Sequence, residues 1–492
     1  MEKNSKPLSR RNFIGKVVTA TAAFTVIPRH VMVGNGIIQP SDTLNVAVIG
    51  LGMRGSVVVQ NICAPDKPIV QPLRRPRTGI PYTPEELKKV DDQKRRKTIS
   101  SASGPSAGRQ SSVKLANIYA LCDVDPEFAG HVFKGYPKAK IYTDWRELLE
   151  KEKSNIDAVV IATPDHTHAT IAAAFIREKK HIYLEKPLAK TPYECRKITE
   201  LAREYDVVTQ LGNQFHADEY TRQTVELIQS GAIGHVREVW VTKIGSPPWP
   251  QGNISRPEGY KAPSHINYDA WIGPAPMKPY HPLTFHNQWR GLWDYGTNTL
   301  GDWCAHFLDP VWWALNLDRP IRVQSSCTPF SNDYYPEAVE ITYEFAARGY
   351  NPPLKIVWRD GGIKTPRPHE LEPGRPLPVT IYVGDKGYLC GARGIAPTFI
   401  PDKPHFDFPE PWIPRTGNIY EEWIDAIKNN KKTTNDFSYS SKIIESSILG
   451  NIAHKMQHAN IILEYDGASG KFKNSEEANA LLHYEYRPGW SI

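Results

Sequence analysis

The 492-residue chain has only six cysteines, at positions 63, 122, 195, 304, 327 and 390, and no CxxC pair among them. That spacing excludes a zinc ribbon and a disulfide scaffold, and free, mostly buried thiols are the expectation. No run of 18 or more uncharged apolar residues exists, which excludes a polytopic membrane protein. Net positive charge is also missing from the body of the chain. Of the formal net +7, residues 1–41 hold six Lys/Arg against one acid and residues 65–112 hold eleven against five, so the remainder carries −4. A mildly acidic body speaks against a nucleic-acid partner. What is present is 40% hydrophobic, 23% charged and 10% aromatic residues, the profile of a globular protein with ample chain for a large core. The length suits about three domains, or two with insertions.

Residues 9–14 (SRRNFI) precede an uncharged run at 17–27, then Pro28 and a polar stretch, the basic, apolar, polar order of a signal peptide. The run is too short to span a bilayer stably. It resembles the twin-arginine consensus, whose transporter carries folded, cofactor-loaded proteins. Residues 1–41 are therefore expected to be a twin-arginine signal and linker, with the export machinery as partner and the periplasm as destination. An amphipathic first helix with two chance arginines fits the flanks less well. No A-x-A cleavage site stands out, and no cysteine follows the run to accept a lipid. Folding before export makes unpaired cysteines compatible with it.

Residues 44–49 (LNVAVI) read as a buried strand running into Gly50-Leu51-Gly52-Met53-Arg54-Gly55 and an apolar helix start at 57–62. In that context GxGxxG is a dinucleotide loop: the first glycine permits the tight turn, the second lets the backbone approach a pyrophosphate, and the third packs helix on strand. A second strand at 115–121 ends at Asp123, where a carboxylate would meet a ribose 2′-hydroxyl and repel a 2′-phosphate, favouring NAD over NADP. The usual separation of about 20 residues is exceeded here because the basic, Pro/Ser-rich segment 65–112 intervenes. A helix-to-strand connection lies opposite the ligand end of a parallel sheet, so this insertion is expected to be remote from the chemistry. A third strand at 156–162 leads into Thr163-Pro164-Asp165-His166-Thr167-His168, and a fourth at 181–184 into Glu185-Lys186-Pro187. Asp165, His166 and His168 offer ligand types suited to zinc, but the Rossmann context accounts for them as a wall beside the nicotinamide, and no metal is expected.

These motifs, GLGMRG, ATPDHTH and EKP, with the later Gly301-Asp302-Trp303-Cys304-Ala305-His306, resemble the glucose-fructose oxidoreductase, inositol dehydrogenase and rhizopine-catabolism (Gfo/Idh/MocA) family from about Leu44 to the C-terminal strands. The resemblance implies an α/β N-terminal Rossmann domain with a parallel sheet, placed at 42–214, and an α+β C-terminal domain with an open, mostly antiparallel sheet, placed at 215–492. Segments 236–243, 321–326, 339–345, 354–359 and 379–383 read as strands of the second domain. The resemblance also implies homodimers or homotetramers packed through the faces of those sheets, to which the apolar alternation at 339–345 would contribute.

Lys186 follows a strand carboxyl end, where open α/β sheets bind ligands, and in the family this lysine meets both the nicotinamide side and the substrate hydroxyl. Asp302 and His306, four apart, share one helix face, and Pro310 is expected to loosen the helix there because it cannot donate to the His306 carbonyl. Removing hydride from a carbinol needs a base for the hydroxyl proton, so His306 is the candidate base, with Asp302 orienting substrate or tuning it. Candidate cofactor contacts are Gly50, Gly52, Met53, Arg54, Gly55, Asp123, Thr163, Pro164, His168, Glu185 and Lys186. Trp289, Arg290 and Asn213 are candidate substrate contacts, with Gln214 a weaker one. Six of thirteen tryptophans (271, 289, 293, 303, 312 and 313) fall within 43 residues and could stack on sugar faces, although burial is expected for Trp312 and Trp313.

The expected function is an NAD(P)-dependent oxidoreductase acting on a secondary hydroxyl of a sugar, glycoside or polyol, with tightly retained cofactor because free NAD is scarce outside the cytoplasm. Redox-assisted glycoside hydrolysis is the alternative within enzymes, weakened because no histidine-rich motif surrounds Asp302. A non-catalytic sugar or NAD(H) sensor is the alternative outside them.

Overall fold

The computed structural model describes residues 43–69, 84–89, 114–403 and 406–492. The signal expected at 1–41 and most of the insertion lie outside these residues. Six strands, β1 (Asn45–Ile49), β2 (Asn117–Cys122), β3 (Lys140–Tyr142), β4 (Ala158–Ile161), β5 (His181–Glu185) and β6 (Thr209–Gly212), form an all-parallel sheet in the order β3-β2-β1-β4-β5-β6. Val46, Ala47, Val48 and the whole of β4 are buried, as a parallel sheet covered on both faces requires. Strand order reverses between β1 and β4, and the crevice outside their carboxyl ends is where such sheets bind ligands. Helix α1 (Met53–Ile62) leaves that end, while the described flanks of the insertion, Cys63 and Lys114, bridge each other at the far end of α1.

The remaining strands form a nine-stranded mixed sheet. They are β7 (Val236–Thr242), β8 (Arg322–Cys327), β9 (Val339–Phe345), β10 (Leu354–Arg359), β11 (Thr380–Gly384), β12 (Gly387–Ala392), β13 (Ile395–Ile400), β14 (Leu463–Asp466) and β15 (Lys471–Phe472), in the order β13-β12-β11-β7-β10-β9-β8-β14-β15. Only β7 and β10 pair in parallel. The five strands expected in this domain are present within a residue or two. Pro397 is tolerated in β13 because that strand is a sheet edge.

The apolar alternation of β9 has an explanation inside the chain. Val339, Ile341, Tyr343 and Phe345 are buried in the main core beneath helix α8 (Phe437–Lys455), where a Cβ on Gly450 would collide with Tyr343 and press on Leu300 and Ile341. Glu340, Thr342 and Glu344 take the half-exposed face, so the alternation is no signature of subunit contact.

A boundary at 214 does not divide the packing. Helix α7 (Ile419–Lys428) returns to the Rossmann sheet, where Tyr420 stacks on Tyr183 at 5.5 Å and Trp423 meets the same ring edge-on at 5.6 Å. Trp423 is fully buried, so Trp423→Ala is expected to cost about 3–5 kcal/mol, measured as a lowered denaturant midpoint at unchanged m-value.

Candidate active site

Gly50 follows β1 at φ +85°, and a Cβ there would lie 2.6 Å from the carbonyl oxygen of Ala162, just after β4. A Cβ on Gly55 would overlap the Gly50 carbonyl oxygen, so both glycines are demanded by close backbone approach. At Gly52, by contrast, a Cβ would meet nothing within 4 Å, because this backbone faces open space. Gly52 caps α1 without a side chain, leaving amides of the first turn for an anion. Asp123 holds the loop: its carboxylate accepts from the Leu51 amide at 2.6 Å and the Asp125 amide at 2.9 Å.

Gly50, Gly52, Met53, Arg54, Asp123, Thr163 and Pro164 all line one open cleft. Its opposite wall comes from the loop expected to touch substrate. Trp289 is buried in that wall, and Arg290 lies over its ring at 4.2 Å. Trp289 therefore belongs to the cofactor cleft and not to a separate sugar platform. The open glycine backbone, the helix amides and the Asp123 carboxylate together fit NAD.

Two expected cofactor contacts stand behind the cleft. Glu185 is buried, accepting from Arg54 at 2.7 Å and from Tyr183 and Gln214, so it positions Arg54 and does not face the ligand space. Arg54 in turn donates to the Tyr420 hydroxyl at 2.8 Å. Although burial opposes its charge, Glu185 outweighs that and raises the guanidinium pKa further. His168 is buried too, its ring nitrogens 2.7 and 2.8 Å from the carbonyls of Pro187 and Thr163. It ties the loop after β4 to the loop after β5. His166 contacts the Trp271 carbonyl at 2.8 Å, and burial pushes its pKa down to about 3. Asp165 accepts from Thr297 at 2.6 Å, so these three side chains diverge to different partners.

Beyond Arg290 the structure brings the catalytic candidates together. Helix α5 (Asn298–Phe307) is interrupted only at Leu308, itself in right-handed helical conformation, before α6 (Asp309–Leu315) continues with Pro310 in its first turn, the loosening expected there. Lys186 donates to the Asp302 carboxylate at 2.6 Å and to its carbonyl at 2.9 Å, while the Arg290 Nε lies 3.6 Å from the same carboxylate. Burial alone would push the Asp302 carboxyl up, but Lys186 and then Arg290 outweigh it and hold it at about 2.

His306 Nδ1 is 2.9 Å from Asn213 Oδ1. The Asn213 amide donates to the Ala305 carbonyl at 2.6 Å and to Asp309 at 3.1 Å, which fixes its oxygen toward the imidazole. An oxygen that only accepts requires a proton on Nδ1, leaving the lone pair on Nε2. Burial, then the charges of Lys186 and Arg393, hold His306 well below the ordinary imidazole pKa. Asn213 is thus a fully buried positioning residue and not a substrate contact. Asn213→Asp, which places a carboxylate beside Nδ1, is expected to raise the His306 pKa and move the acid limb of the kcat profile upward by about 1 pH unit or more.

The network extends to residues that sequence reasoning missed. Asp309 accepts from Tyr439 at 2.7 Å and contacts His216 at 2.9 Å, and His216 stacks on Trp313 at 4.2 Å. Trp312 is buried as expected, and Trp313 is half-buried. Only a fold that brings β6, α5, α6 and α8 together reveals this chain of contacts; no local spacing marks it.

Residues 100–213 match the oxidoreductase family described by its NAD-binding Rossmann fold, and residues 218–354 match the C-terminal alpha/beta domain of the same family, together about half of the chain. The chain belongs to the Gfo/Idh/MocA oxidoreductase family. Levoglucosan dehydrogenase of Pseudarthrobacter phenanthrenivorans is 29% identical over 116 residues, 24% of this chain and 29% of that protein. Myo-inositol 2-dehydrogenase of Thermotoga maritima is 27% identical over 135 residues, 27% of this chain and 40% of that one. The matches thus span well under half of these curated relatives. The WlbA dehydrogenase from Bordetella pertussis, solved with NADH and UDP-GlcNAcA, shares the fold with a TM-score of 0.51 at 15% identity, covering 86% of this chain and 99% of that one.

Proposed function

We propose that this family member is an NAD-dependent dehydrogenase acting on a secondary hydroxyl of a sugar, glycoside or polyol. The observation that carries this reading is a neutral histidine with its free Nε2 beside a Lys186–Asp302 ion pair, reached from the NAD cleft through Arg290. The names of the matched relatives, levoglucosan and myo-inositol dehydrogenases, support the substrate class. Bound NAD supplies the acceptor for the hydride. His306 Nε2 takes the hydroxyl proton, and the third N–H of Lys186 holds the hydroxyl oxygen as negative charge develops on it. Asp302, kept ionised, holds Lys186 in place.

The arginine pair in residues 9–14 supports export by the twin-arginine pathway to the periplasm. There the enzyme retains its cofactor and returns the hydride, oxidising one sugar carbon and reducing another in a closed cycle, as a homo-oligomer. The test is the absorbance and mass of ligand released on denaturing freshly purified protein, followed by addition of a glycoside panel to the intact sample. Stoichiometric NAD(H) that cycles with sugar without releasing free NADH supports the whole reading. Release of stoichiometric NADH removes the closed cycle alone, and a protein that neither binds NAD(P) nor responds to sugars removes the enzyme.

A further inference from the structure

Two cations approach the Trp303 ring. The Lys243 Nζ lies 4.9 Å from its ring centroid and the Arg393 Cζ 4.6 Å. The two charges are therefore at most about 9.5 Å apart, the sum of those distances. Arg393 also covers Phe215 at 4.9 Å and Phe307 at 5.7 Å. Phe215 and Trp303 are the rings that approach His306 edge-on, at 5.3 and 5.9 Å. Both cations thus surround the proposed base, and neither lines the cofactor cleft.

Among the described residues neither cation has an ion-pair partner. Lys243 donates only to the carbonyls of Ile244 and Gly245, at 2.9 and 3.1 Å. The carboxylates whose fields reach them are already committed. Asp302 is shared by Lys186 and Arg290. Asp360, which acts on Lys243 from the end of β10, receives the Trp358 indole N–H at 2.9 Å and is pushed by burial up to about 7, so it is a poor counter-ion at neutral pH. Its Oδ1 has no hydrogen-bond partner. Burial lowers the pKa of both Lys243 and Arg393, as expected of cations taken from water without compensation. Such charges are retained at a cost unless an anion completes them.

We propose that the substrate is a sugar carrying an anionic substituent, a carboxylate or a phosphate, which Lys243 and Arg393 bind beside Trp303 while the hydroxyl to be oxidised faces His306 and Lys186. This rests on the dehydrogenase reading above. A guanidinium is a planar fork, which suits bidentate capture of either group, and contact with three rings limits where Arg393 can move. The indole that both cations approach offers an apolar wall for a sugar face.

The test titrates NAD-loaded wild-type, Lys243→Met and Arg393→Met proteins by calorimetry. The ligands are methyl glycosides of glucose, galactose and mannose, their uronates and their 6-phosphates, and turnover is followed in parallel. At least one anionic sugar should bind wild type about 10-fold or more tighter than its neutral parent, with that preference lost in each variant and NAD affinity unchanged. The winning series identifies the anion as carboxylate or phosphate. Failure of every anionic sugar to outbind its parent, or a preference that survives both substitutions, overturns the proposal. Oxidation of neutral sugars without anionic preference would leave the dehydrogenase standing and remove this site. Anionic preference lost in both variants, without turnover of anything, would keep the site and remove the dehydrogenase.

Discussion

Lys186→Met is expected to lower the rate of hydride transfer by about 10²–10⁴-fold while NAD still binds, the range of a lost proton-transfer or oxyanion-stabilising group. The separation follows from position: the glycine loop, Asp123 and Arg54 line the cofactor cleft, and Lys186 stands beyond Arg290 on Asp302. Methionine keeps the aliphatic length and removes the charge, so the substitution tests chemistry and not packing. Some stability is lost as well, because each side chain of the Lys186–Asp302 pair is only 16% exposed, but Arg290 remains beside the carboxylate to limit the loss. Arginine should not restore the rate, since a planar fork cannot place a single N–H where an ammonium does. The measurement is single-turnover nicotinamide absorbance with saturating sugar, alongside cofactor affinity by fluorescence quenching. A rate within about 10-fold of wild type would move the oxygen-binding role off Lys186.

The Rossmann half was legible because its strands are continuous apolar runs and its glycine loop has one backbone solution. Gly50 and Gly55 sit where any side chain would strike the neighbouring backbone, so the motif reports geometry directly. Lys186, Asp302 and His306 were legible through motif resemblance, and the fold brings them together from β5 and α5 across a separation of 116 residues. The positioning residues were not legible. Tyr420 lies 366 residues from the Arg54 it braces, and Asp309 reaches Asn213 and His216 across more than 90. Such contacts are set by how α6, α7 and α8 dock, which periodicity within an element does not encode. Asn213 and His168 were read as ligand contacts because polar residues after strand ends face clefts more often than not, yet here each is buried against backbone and side-chain partners. Lys243 and Arg393 carried no motif at all, and only the shared Trp303 ring shows them as a pair.

Histidines buried in the neutral form should withdraw stability as pH drops below about 6.5. His166 and His454 are fully buried and held at about 3, and burial holds His306 well below the ordinary imidazole value. Each has a folded pKa below its unfolded one, so in that window the unfolded chain binds more protons and acid favours it. Every such histidine removes about 1.4 kcal/mol per pH unit between roughly 6.5 and its folded pKa. At pH 5 His166 and His454 together withdraw about 4 kcal/mol, a large part of the stability of an ordinary domain. Asp360 opposes this: raised to about 7 by burial, it binds its proton in the folded state first and regains stability as pH falls from 7 toward the unfolded carboxyl value. Asp125, Asp165 and Glu194 are raised by burial as well and act in the same direction as Asp360, so the histidine contribution is read at a single residue. His454 gives the cleanest test, because it lies outside the active site and among the described residues its only polar contact is the Ser325 hydroxyl at 2.6 Å. His454→Gln keeps a polar side chain that does not titrate there. Its Tm, followed from pH 7 to pH 5, should decline less than that of wild type, by the equivalent of about 2 kcal/mol at pH 5. Parallel Tm curves for the two proteins would show that His454 titrates alike folded and unfolded.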